Sequence, residues 1–234
     1  MRIIVLTFII FITGTFAKGQ STGIDLGLTG GFNISTHTDK YNYSGGVAFT
    51  PNIAAGYQAG LLVRGRFSES WGLQLEPSII KLGARYRESF MQQEQRYYTD
   101  SWTRLVYFQL PLAAQYSIKP LVETMVGSVR TSTRYHLTGG LFGGYLINAQ
   151  FKGMNYVNIT GESLSKNKFS EDVTESYSRY DAGFVFGIGG EYDRTIGLDV
   201  ELQYTLYKTY KYEGLEIREK NMALMFSVTY LITN

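Results

Sequence analysis

Two histidines and no cysteine limit what this 234-residue chain can do as a catalyst. His37 lies between Ser35 and Asp39, the residue types of a nucleophile, a base and an orienting acid. A Ser and an Asp beside a His in one polar stretch are also what composition alone produces, so no catalytic residue is expected. Without Cys there is no thiol nucleophile, disulfide, iron–sulfur cluster, Cys-based zinc site or acylated anchor. His37 and His136 do not have metal-ligand spacing, and Gly187-Ile188-Gly189-Gly190 lacks the Lys and the following helix of a phosphate loop. The reading is therefore not an enzyme, with no metal site and no cofactor.

The remaining polar chemistry is carried by residues at alternate positions. Asp25, Arg64, Arg66, Gln74, Glu76, Gln115, His136, Glu191, Asp193, Asp199 and Glu201 each sit on the face opposite bulky apolar side chains. Arg64 and Arg66 precede a short turn at Ser68-Glu69-Ser70, and Gln74 and Glu76 follow it, so a hairpin sets them side by side for charge-assisted hydrogen bonds. A second hairpin brings Glu191 and Asp193 against Asp199 and Glu201. Four acids that close should raise some of one another's pKa values unless cations intervene, either Arg64 and Arg66 from across an interior or Arg194 from the turn. Such a cluster is either a proton- or cation-binding plug or a salt-bridged filling, and the second suits the narrow interior of a small barrel.

The elements that must position these residues are strands. Residues 198–206 read Leu-Asp-Val-Glu-Leu-Gln-Tyr-Thr-Leu, apolar at every even position and polar at every odd one. Met222, Leu224, Phe226, Val228, Tyr230 and Ile232 repeat the pattern, as do Tyr180, Ala182, Phe184, Phe186, Ile188 and Tyr192. Five earlier segments, about 22–35, 51–67, 71–87, 102–117 and 134–151, fit the same period, for eight strands in all. A phase slip at Ile79-Ile80 calls for a bulge. Pro77 and Pro111 each delete a ladder donor, so a bulge or irregular pairing is expected near both.

The 26 glycines, 15% aromatics and only 18% charged residues fit one exported domain and exclude disorder. Met1-Arg2 followed by the apolar run Ile3–Ile12 and small residues reads as a signal peptide, shorter than a membrane helix and cleaved after Ala17 or, preferably, Gly19. Removing residues 1–19 takes Arg2 and Lys18 and leaves twenty basic against twenty acidic residues, without the basic excess of a nucleic-acid binder. Residues 20–234 then form one domain.

Two barrels could use this alternation, a soluble one with its apolar face inside and a membrane one with it outside. Gly56, Gly60, Gly140, Gly144, Gly183, Gly187 and Gly189 fall on the polar face, where they make room for long side chains in a narrow interior. The apolar faces run nine or more residues, the length of a tilted membrane strand. Trp71, Trp102, Tyr116, Tyr135, Tyr180, Tyr192 and Tyr230, near strand ends, supply interfacial girdles. The expected fold class is an all-β, eight-stranded antiparallel transmembrane β-barrel in an up-and-down meander. Its setting is the outer-membrane lipid of a bacterium. Eight strands are too few for an open diffusion pore.

Short connections alternate with long ones at about 36–50, 88–101, 152–178 and 209–219, which become the external loops, rich in Tyr, Lys, Asn and Glu and suited to protein or glycan contacts. The connection 118–133 breaks the rule, being long where parity demands a short periplasmic turn, and is a candidate periplasmic contact surface or a mobile loop. The sequence leaves the oligomeric state open.

Trp71-Gly72-Leu73-Gln74-Leu75-Glu76-Pro77, Tyr107-Phe108-Gln109-Leu110-Pro111-Leu112, Gly139-Gly140-Leu141-Phe142-Gly143-Gly144-Tyr145-Leu146, Gly187-Ile188-Gly189-Gly190-Glu191-Tyr192 and the closing Phe226-Ser227-Val228-Thr229-Tyr230 follow one another in the mature chain. This order resembles the PorT-like outer-membrane β-barrel family of the Bacteroidetes, over almost the whole mature chain. The resemblance implies a barrel in the porin-like group and, for the PorT type, a link to protein secretion. The chain departs from the family in Gln109-Leu110-Pro111, where Glu-Ile-Pro is commoner, and in ending Ile232-Thr233-Asn234 rather than on an aromatic residue.

Overall fold

The computed structural model describes residues 23–38, 41–42, 48–92, 95–126, 129–158, 165–207 and 220–232. The expected signal peptide and the stretch 209–219 lie outside these residues.

The alternating segments form strands: β1 (Gly23–His37), β2 (Tyr41–Asn42), β3 (Ala48–Phe49), β4 (Pro51–Asn52), β5 (Ala54–Arg66), β6 (Trp71–Leu75), β7 (Ser78–Leu82), β8 (Arg85–Gln92), β9 (Gln95–Val126), β10 (Val129–Asn158), β11 (Ser165–Asp172), β12 (Tyr180–Tyr192), β13 (Ile196–Thr205) and β14 (Asn221–Ile232). One 3-10 turn, Thr174–Ser176, is the only helical element among the described residues. Counting β6, β7 and β8 as one interrupted stave, eight antiparallel staves follow one another in chain order. The first and last close the ring through pairs such as Leu28 with Tyr230 and Phe32 with Phe226, whose rings stack at 4.9 Å. Closure leaves no unpaired sheet edge at the level of the ring, the condition for a sheet to sit in hydrocarbon.

The two faces divide as the alternation predicts. Ile24, Leu26, Leu28, Phe32 and Ile34 of β1 are exposed, while Asp25, Thr29, Asn33, Ser35 and His37 are buried. A protein in water would bury the first set. Here the largest apolar side chains form the outer surface all round the ring, including Leu61, Phe108, Leu110, Leu112, Leu141, Phe186, Ile188 and Leu198. That surface is stable only against lipid.

The third stave corrects one expectation. Leu75 pairs with Leu112, Ser78 with Gln109 and Arg85 with Trp102, so β6, β7 and β8 share one unbroken register on β9. No bulge occurs at Ile79-Ile80. Ile79 points out and Ile80 points in, 1% exposed, as simple parity requires. The ladder is interrupted at Glu76-Pro77, beside Pro111, where Glu76 N still donates to Pro111 O at 3.0 Å and Leu61 N to Pro77 O at 3.0 Å, and again at Gly83-Ala84, where Thr103 N donates to Ala84 O at 2.9 Å. Each proline removes one donor and its neighbours keep theirs, so irregular pairing appears without any slip. The register shifts on the β9–β10 ladder fall elsewhere, at Thr133/Tyr135 and Leu146/Asn148.

Two of the expected loops are sheet instead. Residues 88–92 of β8 pair with 95–101 of β9, and 152–158 continue β10 and pair with β11 before the 3-10 turn. The connection 118–133 is likewise a hairpin, with Val126 paired to Val129 and Tyr135 to Ile118. With 32 residues in β9, the strand extends about 100 Å and projects beyond a bilayer at both ends.

Candidate functional site

The polar residues predicted to face inward, Asp193 excepted, meet near the short-turn end of the barrel. A small cavity there, with about 20 Å³ open to the centre of a water molecule, is lined by Arg64, Gln74, Glu76, Gln115, His136, Glu191, Asp199 and Glu201, among others. That is room for roughly one water.

Arg64 is the hub. Its position on β5, next to Asp25 on β1 and Gln74 on β6, puts the guanidinium in the interior at 4% side-chain exposure. Nε donates to Asp25 Oδ2 at 3.1 Å and Nη1 to Gln115 Oε1 at 3.0 Å, while Nη2 lies 3.0 Å from Glu191 Oε2 on the other side of the ring. One side chain thus ties β1, β5, β9 and β12 together. Arg66 adds a second cation to Asp25 at 2.6 Å. The cross-turn pairing with Gln74 and Glu76 is not what forms. Register sets Arg64 opposite Gln74 and Arg66 opposite Gly72, but both guanidinium groups turn to Asp25 on the neighbouring strand, a charged acceptor and therefore the stronger one.

The second hairpin also differs from expectation. Asp193 and Arg194 occupy the two central turn positions with φ of 50° and 53°, as a tight hairpin with twist-matched geometry requires. Asp193 is consequently exposed and leaves the cluster. Glu191 pairs in register with Gly197, Gly189 with Asp199 and Gly187 with Glu201, so each acid faces a glycine rather than another acid across the ladder. A Cβ on Gly189 would lie 2.1 Å from Asp199 Oδ1 and 2.5 Å from His136 Nε2, which shows what the glycine makes room for: the His136–Asp199 contact of 2.6 Å.

Of the predicted aromatic residues, Trp71, Tyr116, Tyr135, Tyr192 and Tyr230 are exposed at the short-turn end, with Trp71 and Tyr116 rings 4.9 Å apart. Tyr180 stands at the opposite end beside Tyr145, rings 5.7 Å apart. Trp102 is half-buried beyond the apolar band, on the sheet that β8, β9 and β10 extend past the ring.

The other half of the interior is largely apolar. Ile80, Leu82, Leu105, Tyr107, Leu146, Val185 and Met225 form an apolar cluster there. Beside it lie Gln203, whose Nε2 donates to Gln109 Oε1 at 3.0 Å, and Asp181, which accepts from Thr205 Oγ1 at 3.1 Å. Inward parity at positions 109, 181, 203 and 205 was the available signal for this network. His37 ends β1 in the same half, buried, with Nδ1 2.7 Å from Tyr86 Oη, and Ser35 Oγ donates to Gly83 O at 2.9 Å. Neither side chain is directed at the other, and Asp39 lies outside the described residues.

Beyond the membrane level, Arg85 Nε donates to Asp100 Oδ1 at 2.7 Å, and this bond holds the Asp100 carboxyl below the ordinary carboxylate range. A lowered folded-state value means the contribution is complete above the unfolded carboxylate pKa and fades as pH falls through the folded one. The β8–β9 hairpin should therefore lose amide protection as pH falls below the ordinary carboxylate range, after correction for intrinsic exchange. In Asp100→Asn that acid-dependent step should disappear, as read by hydrogen exchange at Thr99 and Ser101.

A closed antiparallel ring, apolar outside and salt-bridged within, defines a small transmembrane β-barrel. The chain belongs to the family described as outer membrane protein beta-barrel domain, whose model matches residues 16–210. It is an outer-membrane barrel protein. No curated protein sequence matches it. Among solved structures it is similar to Ail, the attachment invasion locus protein of Yersinia pestis, in complex with the heparin analogue sucrose octasulfate (13% identity, 89% of this chain and 99% of that chain, TM-score 0.37). It is also similar to Neisserial surface protein A (13%, 89% and 98%, TM-score 0.37) and to OprG from Pseudomonas aeruginosa (12%, 91% and 98%, TM-score 0.41).

Proposed function

We propose that this protein is a closed barrel, exported by its N-terminal signal peptide, that works as a membrane-anchored scaffold presenting hairpins on both sides rather than as a pore or an enzyme. The observation that carries the reading is Arg64 bridging the interior from Asp25 to Glu191, above a cavity sized for about one water. The apolar cluster around Leu105, Tyr107 and Leu146 closes the other half. The aromatic residues at the two strand ends serve as interfacial anchors, and the external sheet offers the surface for protein or glycan contacts. A PorT-type role in secretion is the second reading, supported by the resemblance in sequence and by the β9–β10 hairpin past Ile118, which projects from the short-turn end.

Planar-bilayer recording tests closure. The expected result for the reconstituted protein is no steady conductance above the bare membrane, and stable open events of the size seen with wide porins would sink the closed-barrel reading. Replacing Arg64 and Glu191 together by Ser should produce brief, small openings, because the two groups that span the interior are then gone.

A further inference from the structure

The sheet that β8, β9, β10 and β11 form beyond the ring has one packed face and one open face. Tyr86, Ser101, Thr103, Ala149, Thr174 and Tyr177 are buried on the first. On the second, direct cross-strand partners form three rows, since residues opposite each other in a ladder share a face. The rows are Arg85, Trp102, Lys152 and Ser170, then Arg87, Asp100, Met154 and Lys168, then Ser89, Tyr98, Tyr156 and Lys166. Arg104, paired with Gln150, lies one row nearer the membrane. This face continues the lipid-facing surface: along β9 the outward positions run Tyr116, Leu112, Leu110 and Phe108 and then, past Val106, change to Arg104 and Trp102.

Six cations, Arg85, Arg87, Arg104, Lys152, Lys166 and Lys168, thus stand just past the apolar band, against two carboxylates. Asp100 is taken by Arg85, with Arg87 at 3.8 Å, and Asp172 accepts from the backbone N–H of Thr174 at 2.9 Å. The cations are interleaved with aromatic rings, Arg104 5.6 Å from the centre of Trp102 and Lys166 5.9 Å from that of Tyr156. Trp102 Nε1 and Arg104 Nε, shielded from water, find no acceptor among the described residues. A face of donors and cations with its own carboxylates already engaged needs a partner made of acceptors and negative charge.

We propose that this face binds the phosphate groups of outer-leaflet lipids, clamping the external sheet down on the membrane surface. The proposal rests on the outer-membrane reading and commits to lipid phosphate. Continuity decides the choice: the cations begin in the row where the lipid-facing side chains end, which is the level at which headgroup phosphates lie. The aromatic rings then lie against the glycolipid or glycerol portion next to the phosphate.

The test uses the full mature chain, purified in neutral detergent and titrated with mixed micelles of bisphosphorylated lipid A, with phosphatidylcholine micelles, with a heparin oligosaccharide and with inorganic phosphate. Expected is lipid A binding at least tenfold tighter than any of the other three, weakening steeply with salt. The variant R104Q/K152Q/K168Q should lose tenfold or more, and K166Q/K168Q, confined to two exposed side chains, should lose about threefold with an unchanged folded gel band. R194Q, in the opposite turn, should bind as the parent does. Equal binding of lipid A and phosphatidylcholine overturns the proposal, as does parent-like binding by both cation variants. Tighter binding of heparin would assign the face to a sulfated glycan, and equally tight inorganic phosphate to a simple anion site; either also overturns it. Cell fractionation tests the outer-membrane reading separately, so failure of one is distinguishable from failure of the other.

Discussion

Arg64→Met should destabilise the barrel by about 3–5 kcal/mol, the range for breaking a buried ion pair by removing one partner. The substitution keeps much of the side-chain volume and deletes every charge-assisted contact at the hub. Asp25 retains Arg66 at 2.6 Å, but Glu191 loses the guanidinium 3.0 Å away, and Gln115 loses its donor. Glu191 is 5% exposed and the cavity beside it holds at most about one water, so solvent does not make up for the lost guanidinium, and the uncompensated carboxylate dominates the cost. Urea unfolding in lipid vesicles, followed by heat-modifiable gel mobility, reads the effect. Glu191→Gln in the Arg64→Met background should restore about half of it, because the stranded charge is then neutral. A double-mutant cycle with a coupling below about 0.5 kcal/mol would show that the bridge is not an energetic unit.

Gly183→Val should be at least as damaging, for a different reason. Gly183 pairs with Thr205 on β13, and a Cβ there would lie 2.0 Å from the carbonyl oxygen of Tyr204 and 2.6 Å from the ring of Phe142. Phe142 is 3% exposed and locked in place, and the oxygen belongs to a backbone already held in a closed ladder. No rotamer change relieves a clash with a neighbouring main chain, so the cost should exceed the usual 1–3 kcal/mol of overpacking. The expected outcome is loss of the folded, fast-migrating band after refolding into vesicles. Gly143→Ala is the control: nothing lies within 4 Å of its Cβ position on the lipid face, and that variant should fold as well as the parent. Normal assembly of Gly183→Val would mean that the strands can separate locally, against the close approach of β12 and β13.

These two positions also mark how far the sequence can be read. Period 2 over nine or more residues assigned Arg64 and Gly183 to the inner face directly, since a strand alternates its side chains and has no third choice. At Ile79-Ile80 two adjacent apolar residues suggest a slip from that rule. Both proved to fit, because the far half of the interior is apolar and accepts Ile80 beside Leu105 and Tyr107. Parity states which way a residue points and says nothing about the polarity of the space it points into.

The external elements were less legible. Segments 88–101 and 152–178 carry the Tyr, Ser, Asn and Lys of loops, yet they pair as hairpins because β9 and β10 template them beyond the membrane. The pairing partner, not the intrinsic propensity of the segment, decides such cases. Asp193 was misplaced for a more local reason: one residue past Tyr192 the chain enters the left-handed region, and alternation ends with the strand.

By itself, then, the sequence determined the period, the strand number, the bulky outer face, the glycine-lined inner face and the group of charged residues near the short turns. Each follows from spacing along one chain. Only the tertiary structure decided that Asp25 rather than Glu76 receives both arginines, that Arg64 reaches Glu191, and that six cations from four strands share one open face. Those are contacts between staves, fixed by inter-strand register and by the curvature that closes the ring, and neither quantity is written in the alternation of a single strand.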